Sequence, residues 1–141
     1  MKITVDLNVL LDVAQNRLPH YHASEEVLHR ARAGEYAAVL PGHAITTLHY
    51  IIEKWSGANL ANQTIDGLLA DFILHPSDKS NFQRARQLPL NDFEDGVVAA
   101  IAEASGSDYI VTRNVPDFAG SSVPAITPTE FLEAIMGFDP A

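Results

Sequence analysis

The chain has 141 residues, of which 47% are hydrophobic and 19% are charged. This composition is typical of a compact globular domain, and we expect residues 1–141 to form a single one. No apolar stretch approaches the roughly 20 residues that cross a bilayer, and the first residues are strand-like, so we expect a cytoplasmic protein with no membrane contact. The absence of cysteine excludes disulfides and thiolate metal sites.

The formal net charge of −9 argues against a broad basic surface of the kind that binds nucleic acid. Five of the nine lysine and arginine residues nevertheless fall in two short segments, residues 29–32 and 79–86. Such clusters are most often solvated helix faces, and contact with phosphate is the less common alternative.

Strand-like and helix-like segments alternate along the whole chain. In chain order, strands are predicted at residues 2–8, 36–41, 108–114 and 124–128, with a further short strand before His75, and helices at residues 22–34, 43–57, 60–74, 80–88, 90–106 and 127–136. Asn91 and Glu94 are predicted to form a capping box, as are Thr127 and Glu130. The alternation predicts an α/β layer fold with a largely parallel sheet.

Acidic residues fall where the predicted strands end. Asp6 closes the first strand, Asp117 follows the strand at 108–114, and Asp92 and Asp95 lie in the first turn of a helix. Ligands of parallel sheets bind outside the carboxyl ends of the strands, so we expect these carboxylates to lie close together. Taken singly, each is also explained as a cap, turn or loop residue.

A cluster of carboxylates requires compensation, because two unit charges about 4 Å apart repel by roughly 4 kcal/mol at a protein surface. A hard divalent cation turns this repulsion into attraction, and oxygen ligands without cysteine favour Mg²⁺ or Mn²⁺ over zinc. Such ions activate water and stabilise the oxygens of a phosphodiester displacement. The pattern therefore predicts hydrolysis of phosphodiesters.

The segments DLNVLLD and DFEDGVVAAIAEASGSDYIVTRNVPDF resemble those of the PIN-domain ribonucleases, in particular the VapC-like toxins of bacterial toxin–antitoxin pairs. The resemblance implies a single PIN-like domain with three α/β/α layers and an Mg²⁺- or Mn²⁺-dependent endoribonuclease activity. By resemblance, Asp6, Asp95 and Asp117 are metal-binding acids, and Thr112 and Asn114 support them. RNA is the implied substrate, an antitoxin protein the implied partner, and a homodimer the implied assembly.

The middle of the chain departs from the family pattern. Many members carry a glutamate six residues after a serine, and His49 stands at that place here, with Glu53 one helical turn later. Glu53, His49 or Asp92 is therefore the candidate for the fourth metal ligand, and we favour Asp92.

Two other functions compete with the nuclease. A catalytically weakened PIN-fold domain that only binds RNA or a protein partner would explain His49 and the negative charge. A receiver-like module would hold Mg²⁺ on clustered aspartates, but it is expected to carry a lysine at a late strand end, where this chain has Arg113.

Overall fold

Five strands form one sheet in the computed structural model, which describes residues 1–136. They are β1 (Lys2–Val5), β2 (Ala37–Pro41), β3 (Ile73–His75), β4 (Tyr109–Val111) and β5 (Ala125–Ile126). The order in the sheet is β3-β2-β1-β4-β5, and every neighbouring pair is parallel. The predicted α/β fold with a mostly parallel sheet is confirmed.

Seven α-helices and one 3₁₀ helix complete the described part of the chain. They are α1 (Leu7–Ala14), α2 (Tyr21–Arg32), α3 (Gly42–Ser56), α4 (Ala58–Asp71), α5 (Lys79–Ala85), α6 (Phe93–Ser105), the 3₁₀ helix (Val115–Phe118) and α7 (Pro128–Met136). The sequence predicted most of them, although it gave no indication of the 3₁₀ helix.

The helices cover both faces of the sheet. Ile3 and Val5 of β1 pack into a core with residues of α1, α2, α3, α4 and α7. On the other face, Ile110 of β4 and Val39 of β2 pack against α6. Because successive strand residues point to opposite faces, strands that are apolar on both faces require a helical layer on each side. The result is the predicted three-layer α/β/α arrangement.

The strand order reverses at β1. The chain leaves β1 towards β2 and β3 on one side and returns on the other side as β4 and β5. In parallel sheets, this reversal leaves a crevice outside the carboxyl ends of the two strands that meet there. Asp6 follows β1 and Thr112 follows β4, so both residues lie at this crevice.

The first strand is shorter than predicted. It ends at Val5, and the side chain of Asp6 accepts a hydrogen bond from the backbone N–H of Leu7 at 2.9 Å. Asp6 is therefore the N-cap of α1, and a helix replaces the predicted strand from Leu7 onward.

The capping box predicted at the start of α6 is also wrong in its residues. Asp92, and not Asn91, is the N-cap, and its Oδ2 accepts the backbone N–H of Asp95 at 3.1 Å. The predicted end at Gly106 is confirmed, because this residue adopts a left-handed conformation with φ 69°. In the described residues, no helix is long and apolar enough to cross a membrane.

Gly42 offers a test of the packing at the start of α3. A Cβ atom at this position would lie 2.4 Å from the backbone oxygen of His75, at the end of the neighbouring strand β3. We expect Gly42→Ala to lower the free energy of unfolding by about 1–3 kcal/mol, since the backbone must shift. Chemical denaturation measures this change.

The matched control is Gly67→Ala in α4, where nothing lies within 4 Å of the added Cβ. Alanine is favoured over glycine inside a helix by about 1 kcal/mol, so this variant should be as stable as the parent or more stable. Equal effects of the two substitutions would contradict the close approach of α3 to β3.

Candidate active site

Asp6 is held at the carboxyl end of β1 by three hydrogen bonds. Besides the N–H of Leu7, its carboxylate accepts the hydroxyl of Thr112 at 2.9 Å and the side-chain amide of Asn8 at 3.3 Å. Asn8 also donates to the Thr112 hydroxyl at 3.2 Å and accepts the backbone N–H of Arg113 at 3.2 Å. The ends of β1 and β4 are thereby joined by one network of polar side chains.

The environment of Asp6 disfavours its ionised form. Its side chain is 4% exposed, and burial raises its pKa to about 6. The nearby carboxylate of Glu94 contributes to this rise in the pKa, whereas the hydrogen bond from Thr112 opposes it. A buried carboxylate that shares its surroundings with a second acid is poised to bind a proton or a cation.

Three acids meet at the start of α6. Asp92, Glu94 and Asp95 each place one carboxylate oxygen within 4.8 Å of the other two. The helix N-terminus carries partial positive charge, which offsets part of their repulsion. Asp92 also caps the helix, so its predicted structural and metal-binding roles are compatible in one conformation.

Asp95 connects this group to the rest of the predicted site. Its pKa is raised to about 7, first by burial and then by the carboxylates of Asp92, Asp6, Glu94 and Asp117. The structure therefore brings the predicted acids Asp6, Asp92, Asp95 and Asp117 into one electrostatic cluster. We call these four residues and Glu94 the acidic cluster.

A cleft of about 160 Å³ opens beside the acidic cluster. Its lining includes Asp92, which is the N-cap of α6, Asp95 of α6 and Asp117 of the 3₁₀ helix. Asp117 is exposed, and its position is fixed by its backbone N–H, which donates to the carbonyl of Asn114 at 3.0 Å. Three carboxylates of the acidic cluster therefore face a cleft that is open to solvent.

The donors of this cluster fit a hard divalent cation. Every candidate ligand is a carboxylate, and oxygen donors are those that Mg²⁺ and Mn²⁺ prefer. Adjacent ligands of octahedral Mg²⁺ stand about 3 Å apart and opposite ones about 4.2 Å, so the three oxygens within 4.8 Å would move together on binding one ion. Burial and neighbouring carboxylates raise the pKa values of Asp6 and Asp95, and a bound cation would offset both effects.

His43 and Glu94 belong to the site but were not singled out from the sequence as site residues. Nε2 of His43 lies 2.6 Å from Oε2 of Glu94, and Nδ1 lies 3.3 Å from the hydroxyl of Ser77. His43 comes two residues after β2, at the same edge of the sheet as Asp6. The position of His43 just after a parallel strand was the one sequence signal that pointed to it as a site residue. Glu94 was missed because it was assigned to a capping box.

The alternative ligands His49 and Glu53 lie together on α3. Nε2 of His49 is 2.8 Å from the amide oxygen of Asn62 in α4, and its Nδ1 is 3.4 Å from the carboxylate of Glu53. Neither residue lines the cleft, and neither contributes to the raised pKa of Asp6 or Asp95. This arrangement favours Asp92 as the fourth acid.

The segment after β4 has a supporting position. The hydroxyl of Thr112, which is fully buried, accepts the backbone N–H of Asn114 at 3.1 Å. Nε of Arg113 donates to the buried carboxylate of Asp12 in α1 at 2.8 Å, so this cation is paired away from the acidic cluster. The side chain of Asn114 is exposed.

Several solved structures share the fold of this chain. Structures of a similar fold include VapBC2 from Rickettsia felis bound to a promoter DNA fragment (TM-score 0.73, 12% identity, covering 90% of this chain and 98% of that one). A second similar structure is the sarcin–ricin loop cleaving toxin VapC20 of Mycobacterium tuberculosis (TM-score 0.68, 12% identity, covering 86% of this chain and 95% of that one). A third is DNA-bound VapBC from Salmonella typhimurium (TM-score 0.69, 16% identity, covering 91% of this chain and 98% of that one). No significant match was found among curated proteins.

The likeness to these structures concerns the fold, because the identities are low. A sequence model of the PIN domain matches residues 2–116, which include Asp6, the α6 acids and Thr112, and ends one residue before Asp117. The chain belongs to the PIN-domain family.

Proposed function

We propose that this protein is an endoribonuclease that depends on Mg²⁺ or Mn²⁺ and acts as the toxin of a toxin–antitoxin pair. The observation that carries the proposal is the acidic cluster at the crevice between β1 and β4, where acids from three separate parts of the chain influence one another. The PIN-domain family supports the nuclease assignment.

Each residue of the site has a role in this proposal. Asp6, Asp92, Asp95 and Asp117 hold the cations, and Glu94 offers a further carboxylate oxygen. Thr112 and Asn8 keep the Asp6 carboxylate in one orientation through their hydrogen bonds, and Asn114 fixes the backbone that carries Asp117. Bound Mg²⁺ or Mn²⁺ would polarise a phosphoryl oxygen and lower the pKa of a water molecule.

The fold neighbours support the proposed partner and substrate. The fold neighbours include a toxin–antitoxin complex from Klebsiella pneumoniae as well as two DNA-bound VapBC complexes, which supports an antitoxin as the partner. A toxin that cleaves the sarcin–ricin loop supports RNA as the substrate. A homodimer and a cytoplasmic location are further parts of the proposal.

A non-catalytic PIN-fold domain that binds RNA or protein is the second candidate. His49 favours it, because the family's glutamate is absent at this place and His49 is bonded to Asn62. The two candidates differ in whether added metal produces cleaved RNA.

RNA cleavage should require a divalent metal ion. RNA should be cleaved in Mg²⁺ or Mn²⁺, not in EDTA, and only slowly in Ca²⁺, because the larger ion accepts looser geometry and activates water less well. Gel analysis of a labelled RNA measures this. Asp6→Asn is the control for contaminating nuclease, and undiminished cleavage in EDTA would refute the metal mechanism.

Substitution of Asp92 and of Glu53 distinguishes the two candidates for the fourth acid. Asp92→Asn should lower the cleavage rate by about 100-fold or more, since asparagine retains the helix cap but lacks the charge. Glu53→Gln should stay within about threefold of the parent, because Glu53 lies beside His49 away from the cleft. The opposite order of effects would move the ligand to α3.

The stability of the metal-free protein should depend on pH. Asp6 and Asp95 have folded-state pKa values of about 6 and about 7, above their unfolded values. The native protein therefore binds these protons more tightly, and the stability that they contribute is lost as the pH rises from about 4 to about 7. Asp95→Asn should therefore lose much less stability than the parent over this pH range.

At pH 8 without metal, Asp95→Asn should melt roughly 3–8 °C higher than the parent, which corresponds to about 1–2 kcal/mol of relieved repulsion. Added Mg²⁺ should stabilise the parent but stabilise Asp95→Asn much less. Asp66→Asn, an exposed change on α4, is the matched control and should alter neither quantity. An unchanged melting temperature with a full Mg²⁺ response would show that Asp95 only supports the helix.

A further inference from the structure

A strip of aromatic and basic side chains lies on α5 and the first turn of α6. Lys79, Phe82 and Arg86 are spaced by three and four residues, so they share one face of the helix, and Arg86 continues the helical backbone as the C-cap. Phe93 of α6 stacks on Phe82 with ring centroids 6.2 Å apart and planes 27° apart. We call these four residues the α5 strip.

The aromatic rings of the α5 strip face solvent. Phe82 is 36% exposed and Phe93 is 47% exposed, although large apolar side chains usually gain by burial. Their mutual stacking leaves ring surface available to a further flat group. Such a group is what an unpaired base of a nucleic acid supplies.

The α5 strip adjoins the acidic cluster. Phe93 is the first residue of α6, and its neighbours in the sequence, Asp92 and Glu94, belong to the acidic cluster, so the strip and the cluster meet at the same end of this helix. The two helices are tightly packed, because a Cβ at Gly96 of α6 would lie 3.3 Å from the Cβ of Ala85 in α5. The strip and the acidic cluster therefore keep a fixed spacing.

The two cations of the strip are among the basic residues that make no salt bridge within residues 1–136. Four of the other basic residues make salt bridges with carboxylates: Arg30, Arg32, Arg84 and Arg113. Within residues 1–136, Lys79 and Arg86 make none, and Arg84 points to Glu103 on another side of α5. The adjacent Asp78 accepts hydrogen bonds from the N–H groups of Ser80 and Asn81, as the cap of α5.

We propose that the α5 strip is a binding site for single-stranded RNA, in which Phe82 and Phe93 stack on an unpaired base and Lys79 and Arg86 contact the flanking phosphates. The inference rests on the proposed function and adds a place on this chain, outside the acidic cluster, where the RNA binds. Stacked aromatic rings flanked by cations are the recurring features of single-strand binding, and a protein partner would not require the strip to adjoin the acidic cluster.

The test measures the affinity of the full chain for a short, unstructured, fluorescently labelled A/U oligoribonucleotide, in Ca²⁺ to keep cleavage slow. Phe82→Leu keeps the apolar character but removes the stacking surface, so the Kd should rise about 5- to 100-fold. Phe82→Trp, which keeps an aromatic ring, should bind at least as tightly as the parent. Trp55→Leu, which alters a residue 73% exposed on α3, is the matched control and should leave the Kd unchanged.

The salt dependence tests the two cations separately. The slope of log K against log salt should fall by about 0.7 for Lys79→Gln and again for Arg86→Gln, as expected for one lost phosphate contact in each variant. Lys54→Gln on α3, where Lys54 lies 5.9 Å from the Trp55 ring, is the control and should not change the slope.

The outcomes separate this inference from the function on which it rests. If the parent cleaves RNA but Phe82→Leu binds as tightly as the parent, the strip is not an RNA site and the nuclease proposal stands. If Phe82→Leu instead changes the oligomeric state in sedimentation without changing the RNA affinity, the strip is a protein contact and the inference is overturned. A parent that neither binds nor cleaves RNA would overturn both proposals.

Discussion

Crowding of negative charge at one edge of the sheet is the constraint that shapes this molecule. A parallel sheet directs the carboxyl ends of all its strands to one edge, and acids placed there are forced together whatever their distance in the sequence. Two carboxylates about 4 Å apart repel by roughly 4 kcal/mol at an effective dielectric of about 20. The acidic cluster is therefore tolerated only with protons, with the helix N-terminus beside it, or with a cation.

The protein does not neutralise the acidic cluster with its own strong cations. Within the described residues, no lysine or arginine makes a salt bridge with Asp6, Asp92, Glu94, Asp95 or Asp117, and the one basic contact is that of His43 with Glu94. A purely structural group of acids would be expected to pair with arginine, as Asp12 does with Arg113. Leaving these acids unpaired is consistent with a place kept for an exchangeable cation.

The sequence was sufficient for the parts of the fold that depend on local pattern. Strand and helix order, the glycine that ends α6 and the convergence of Asp6, Asp95 and Asp117 all follow from periodicity and from the geometry of parallel sheets. The contact between His43 and Glu94 could not be predicted in this way, because it joins two helices whose relative rotation is set by tertiary packing. The start of α6 was misplaced for a related reason, since Asn91 and Asp92 are both good caps and only the backbone decides between them.

The pairing of Arg113 with Asp12 has a consequence for how the site can adapt. Together with the bond from the Arg113 N–H to Asn8, it fastens the segment after β4 to both ends of α1, and the Asp12 carboxylate is fully buried. Asp6 and Thr112 therefore belong to a rigid, preorganised half of the site. Asp92, Glu94 and Asp117 are exposed residues, and Asp92 and Asp117 line the cleft. Under the proposed function, this outer half would absorb differences in ion radius or substrate shape, while the inner half would keep a fixed position.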